Sequence, residues 1–239
     1  MIHLYGISFR NFDFVRKSLD SIIDNASEPL CITVAHNPDN LPNSGNEAIQ
    51  DYLGDLVCEG EVKRALIFKD NNIGWSLVQA MKDFPPDDSE DFFIMTDLDV
   101  VVPDGHDYLR EIRQAKAAGA VLSGYSLDLS NHDDPDDGFV DSGFGNWLMA
   151  PNTRLYQKYF GYEQNTLDTQ IINTFVQHGL VLQLRTRLYH MAWNLSKQRD
   201  EGGDPEYAIF KRLAGPQWIL KPRPSDMSYK LIERKDEHQ

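Results

Sequence analysis

From residue 2 to about residue 126 the chain alternates short β-rich apolar runs with stretches of helical spacing, a pattern that admits few folds. "IHLYGIS" (2–8) reads as a strand, and "FDFVRKSLDSIIDNA" carries helical spacing in Phe14, Val15, Leu19, Ile22 and Ile23. "LCITVAH" (30–36) is a second strand, ending in the turn-rich "NPDNLPNSGN". "KRALIFK" (63–69) is a third; after it Asn72 is placed to cap a helix running to about Phe84. "DFFIMTD" (91–97) is a fourth, the helix "YLREIRQAKAAG" follows, and "AVLSGYS" (120–126) is a fifth. Such alternation predicts an α/β domain with a mainly parallel sheet, whose ligands bind at the carboxyl ends of the strands near a switch in strand order. The polar residues Ser8, Arg10, Asn37, Asp39, Asn72, Asp97 and Asp99 all fall at those ends.

The second half is less regular. "GNWLMAP" (145–151) reads as a strand, "NTRLYQKYFG" as a short helix between a cap at Asn152 and a stop at Gly161. "TLDTQIINTFVQHGL" is a helix ended by Gly179, and "VLQLRTRLYHMAWN" is strand-like with His190 near its end. From about Ser196 the chain turns polar, as a C-terminal extension or flexible loop over 196–239 would.

The strand "FFIMTDLDVV" sets two carboxylates into an apolar run. Residues i and i+2 of a strand share a face, so Asp97 and Asp99 point together while Leu98 turns to the core. Two carboxylates so close repel unless a proton or a cation lies between them. Mg²⁺ and Mn²⁺ sites commonly combine one or two carboxylates with phosphate oxygens; the bland alternative is a solvated strand end. A strand ending Asp-x-Asp also marks haloacid-dehalogenase-type phosphatases, but there Gly-Thr follows and the motif sits on the first strand; here Val100 and Val101 follow, after three strand–helix units.

The formal charge of −14 over 239 residues argues against nucleic-acid or anionic-membrane binding, which wants a basic face. An anionic ligand therefore needs local neutralisation. No run of about 18 apolar residues is present, so no transmembrane helix is expected, and the absence of a signal peptide gives a cytoplasmic expectation. The two cysteines, Cys31 and Cys58, do not form the pattern of a disulfide-stapled scaffold, although a single bridge stays open.

The order of these features over about residues 2–194 resembles a GT-A glycosyltransferase, closest to inverting family 2. Asn37 and Asp39 in "AHNPD" match the base-contacting end of the second strand, Asn72 and Gly74 match an Asn-x-Gly that opens a helix, and Asp97 and Asp99 match the family's Asp-x-Asp. Asp168, at a helix start that leads to a Gly, matches the catalytic base, and His190 matches a metal-ligating His after the next strand. Leu167 replaces the usual acid and Thr174 stands where Arg is common.

The resemblance implies a single domain over 1–195, a Rossmann-like nucleotide-sugar half (1–102) and an acceptor half (103–195) on a mixed central sheet. It implies Mn²⁺ or Mg²⁺ held by Asp97, Asp99 and His190, and a nucleotide-diphosphate sugar donor touched by Ser8, Arg10, Asn37, Asp39, Asn72, Gly74 and Asp97. The acceptor would be a glycan, a lipid-linked species or another hydroxyl compound, with Trp75 and Trp147 as lining. Asp168 also reads as a dipole-favoured helix acid, His190 as a half-buried histidine, and both tryptophans as packing residues. A sugar nucleotidyltransferase is kept as an alternative, disfavoured because "GISFRNFDF" carries no Gly-rich phosphate loop. A catalytically silent nucleotide- or glycan-binding module on the same fold is the remaining alternative.

Overall fold

The structure, a computed structural model, describes residues 1–38, 45–71, 73–127, 148–164, 168–191 and 222–234, with the backbone alone for Ile73, Leu127, Asp168, Thr169 and His190. It is a mixed α/β fold. The strands are β1 (Ile2–Phe9), β2 (Leu30–Asn37), β3 (Arg64–Phe68), β4 (Ile94–Asp97), β5 (Val100–Val101), β6 (Ala120–Leu127), β7 (Met149–Pro151), β8 (Leu180–His190) and β9 (Tyr229–Glu233). The helices are α1 (Phe12–Asp24), α2 (Asn46–Glu59), α3 (Ile73–Asp83), α4 (Tyr108–Ala117), α5 (Thr153–Phe160) and α6 (Asp168–Val176).

The strands form one sheet in the order β5-β8-β6-β7-β4-β1-β2-β3-β9. β3, β2, β1 and β4 are mutually parallel, β6 and β8 are parallel, and β7, β5 and β9 join antiparallel. Alternate residues of β1–β3 feed two cores. Ile2, Leu4, Ile32, Val34, Ala65 and Ile67 pack on the side of α1, α2 and α4. Tyr5, Ala35, Leu66 and Phe68 pack on the side of α3, α5 and α6. Burial on both faces is why β2 reads as an unbroken apolar run rather than an alternating one.

Connections through α1 and α2 run along one face, and the connection through α3 crosses to the other. The strand order therefore reverses between β1 and β4, and sheets of this kind bind ligands in a crevice at such a switch point, at the carboxyl ends of the strands. The edge is drawn in tightly: the Leu98 N–H donates to the Ile7 carbonyl at 2.8 Å, and Asp97 registers opposite Ile7.

Two elements depart from the sequence reading. Helix α2, buried through Ile49, Leu53, Leu56 and Val57, follows the turn-rich stretch that the periodicity left unassigned. The region expected to be only an extension or loop contributes β9, which pairs antiparallel with β3 from Phe68↔Tyr229 to Arg64↔Glu233. Both cysteines are free, Cys31 buried and Cys58 exposed.

Candidate functional site

The carboxyl ends of β1, β2 and β4, the first turn of α3 and the end of β8 converge on this switch point. Asp97 ends β4 half-buried, and Asp99 follows with only 2% exposure. Asp99 is tied to the end of β8 through its backbone: its carbonyl accepts from the Met191 N–H at 2.9 Å. His190 registers opposite Val100, one step from the Asp99–Met191 pairing, so the Asp-x-Asp turn and the end of β8 are backbone neighbours. Asp168 opens α6, which packs on β8 and β6 and is joined to β8 by the short turn Gln177–Gly179.

The residues at the ends of β1 and β2 form an inner layer. Ser8 is 1% exposed, and its Oγ lies 3.0 Å from Nδ1 of His36, itself fully buried. Burial without a charged partner pushes the His36 imidazole down to about 4, so the ring is neutral at physiological pH. Asn37, also fully buried, donates through Nδ2 to Ser76 Oγ at 2.8 Å and to the Ala35 carbonyl at 3.3 Å. That bond pins the first turn of α3, which carries Gly74 and the half-buried Trp75, to the end of β2. Arg10 is 4% exposed and has φ 41°, followed by Asn11 at φ 62°. Two successive non-glycine residues in the left-handed region are costly, and such strain gathers at functional loops. Asn11 recovers part of the cost as the cap of α1, its side chain accepting from the Phe14 N–H.

The structure thus brings together Ser8, Asn37, Asp97 and Asp99 at the ends of β1, β2 and β4, with Arg10 and Gly74 on the adjoining turns and the backbone of His190 beside the Asp97–Asp99 turn; Trp75 lies instead under the Arg223 guanidinium. Asp39, Asn72 and Trp147 lie outside the described residues. Ser8 and Asn37, expected to face the nucleotide, are enclosed by protein here and engage His36 and Ser76 instead. His36 and Ser76 escape sequence reasoning because their partners stand 28 and 39 positions away.

Hard carboxylate oxygens at a strand end suit Mg²⁺ or Mn²⁺, which complete their shells with phosphate oxygens. Among the described residues no group of three or more His, Cys, Asp or Glu is gathered to hold a metal. Among them, also, no helix is long and apolar enough to cross a membrane.

No protein-family model and no curated protein matches the chain. Solved structures do. A mannosyltransferase from Pyrobaculum calidifontis, PcManGT, solved with GDP-Man and Mn²⁺, superposes with a TM-score of 0.59 at 11% identity, over 91% of this chain and 71% of that one. TarS of S. aureus superposes with a TM-score of 0.53 at 12% identity, over 90% of this chain but only 42% of its own. The chain has the GT-A fold. In this GT-A core the order of strands reverses between β1 and β4, and the Asp97–Asp99 turn follows β4 at that switch point.

Proposed function

We propose that this chain is a metal-dependent glycosyltransferase, akin to inverting family 2, that moves a sugar from a nucleotide-diphosphate donor to a hydroxyl acceptor. The observation that carries the reading is the placement of Asp97 and Asp99 at the switch point of a GT-A sheet, against the end of β8. The Mn²⁺ and GDP-Man reported with PcManGT support it.

In this reading Asp99 and Asp97, with His190 from the end of β8, hold Mn²⁺ or Mg²⁺ against the donor diphosphate. The ion, when bound, offsets charge that builds on the leaving diphosphate. Asp97 reaches the ribose side of the donor, and Gly74 at the start of α3 allows close backbone approach. Arg10, Asn72 and Asp39 complete the donor contacts, with Ser8 and Asn37 shaping the wall behind them. Asp168 accepts the proton of the acceptor hydroxyl as that oxygen attacks the anomeric carbon opposite the departing diphosphate. Help of this kind is worth about 10²–10⁴-fold. Trp147 lines the acceptor approach.

Calorimetric titration of UDP, GDP, TDP and CMP, with and without Mn²⁺, tests the site. Manganese-dependent binding of one nucleotide by the wild type, abolished in Asp99→Ala, is the expected result. Asp168→Asn is expected to keep that binding and lose at least 100-fold in transfer. Donor binding without any transfer or donor hydrolysis would make the chain a silent binding module, and folded protein that binds no nucleotide would end the sugar-nucleotide reading.

A further inference from the structure

The C-terminal segment is more than a sheet edge. Residues 222–229 lie along one stripe of α3, made by Trp75, Gln79 and Asp83 at successive i+4 positions. The Arg223 guanidinium sits over the Trp75 indole, 5.9 Å from the ring centroid, and donates to Gln79 Oε1. Gln79 Nε2 donates to Asp83 Oδ2 at 2.7 Å, and the Tyr229 hydroxyl donates to the same oxygen at 2.7 Å. The chain Arg223–Gln79–Asp83–Tyr229 therefore ties both ends of the strap to the length of the helix.

The strap is also prepared for that task. Pro222 and Pro224 flank Arg223, fixing their own φ and restricting the residue between them, which lowers the entropy lost on docking. Asp226 accepts from the Ser228 N–H at 2.8 Å, a local turn that delivers the chain into β9. The Lys69 N–H donates to the Ser228 carbonyl at 3.3 Å, and the Tyr229 ring rests 5.3 Å from that of Phe68.

The helix so clamped is the one whose first turn packs against the carboxyl end of β2, at the proposed donor site. Its inner side is pinned by Ser76 to Asn37 at the end of β2, and its outer stripe is held by the strap. We infer that Arg223 and Tyr229 are positioning residues for the donor site: the strap holds α3, and α3 holds the wall that a nucleotide diphosphate meets. This rests on the proposed donor reading. It adds that the strap and the nucleotide are thermodynamically coupled. If docking of the strap tightens nucleotide binding by some factor, nucleotide must tighten docking of the strap by the same factor.

The test uses the full chain and the nucleotide diphosphate found to bind it with Mn²⁺. Arg223→Ala and Tyr229→Phe are each expected to raise the nucleotide Kd about 5- to 10-fold at a temperature where both variants are fully folded. The double variant is expected to show less than the product, since both act through one chain of bonds. Saturating nucleotide is expected to slow amide hydrogen exchange across 225–233 in the wild type. Unchanged Kd with only a lower Tm, or exchange in the strap indifferent to nucleotide, would overturn the inference and leave a merely structural strap. Failure of the wild type to bind any nucleotide would instead overturn the donor reading, and this inference with it.

Discussion

Gly6 sits under the turn that carries both aspartates. A Cβ at this position would stand 3.0 Å from Leu98 Cδ1 and 3.1 Å from Leu98 Cγ and Cδ2. Leu98 is 3% exposed and has no room to retreat without moving Asp97 and Asp99. Gly6→Val is therefore expected to cost about 1–3 kcal/mol by overpacking, read by denaturant unfolding. Pairing it with Leu98→Ala should return part of the loss; a double variant no better than the single would place the strain elsewhere. The end of β4 at Asp97 was legible from its apolar run, but Asp99 was expected to share a strand face with Asp97 and instead lies in the turn after it, 2% exposed. The roles of Ser8 and Asn37 were not legible either. Position at a strand end predicts proximity to a ligand, whereas their enclosure depends on His36 and Ser76, and only tertiary packing brings those partners into reach.

At the scale of elements, α4 is joined to β6 and β7 by Lys116. Its Nζ donates to the Ala150 carbonyl at 2.6 Å and to the Val121 carbonyl at 3.4 Å, and lies 5.7 Å from the Phe92 ring centroid. Burial pushes this amine down to about 7, against a weaker opposing pull from Asp91. The unfolded chain keeps the proton to its ordinary value near pH ~10.4. Between the two the unfolded state binds more protons, so stability rises with pH, by up to about 1.4 kcal/mol per unit. Below pH ~7 both states are protonated, and this contribution levels off at its least favourable. Tm measured from pH 7 to 9.5 should climb in the wild type relative to Lys116→Met, and parallel curves would refute the assignment. Elements with strong local signals, such as α5 with its Asn152 cap accepting from Leu155 and its Gly161 stop, were readable directly. Helix α2 was hidden by the turn residues before it and a modest apolar face. β9 was hidden because five residues of mixed polarity become a strand only when β3 offers its edge.

For the whole molecule, the net charge of −14 sets the balance between long-range repulsion and local pairing. The pairs that salt would weaken are largely at the surface, such as Lys82–Glu163 at 3.0 Å and Arg16–Asp20 at 3.6 Å. Such pairs are worth about 0–1 kcal/mol each. Self-repulsion acts over the entire surface and is screened within about 10 Å at 0.1 M salt. Raising NaCl from 10 to 200 mM should therefore raise Tm by a few degrees; a fall would mean that the ion pairs outweigh the repulsion.

The pairing of β3 with β9 also bears on how the polypeptide is made. Arg64 and Glu233, joined at 2.9 Å, are 169 residues apart in the chain. While the ribosome is still adding the intervening segment, β3 presents an open edge and α3 lacks its outer clamp. A product that stops short of β9 would carry both defects at once: an unpaired strand for other chains to join, and a loosened helix. Quality control that senses exposed strand edges would thus act on the same molecules in which α3 is left unclamped.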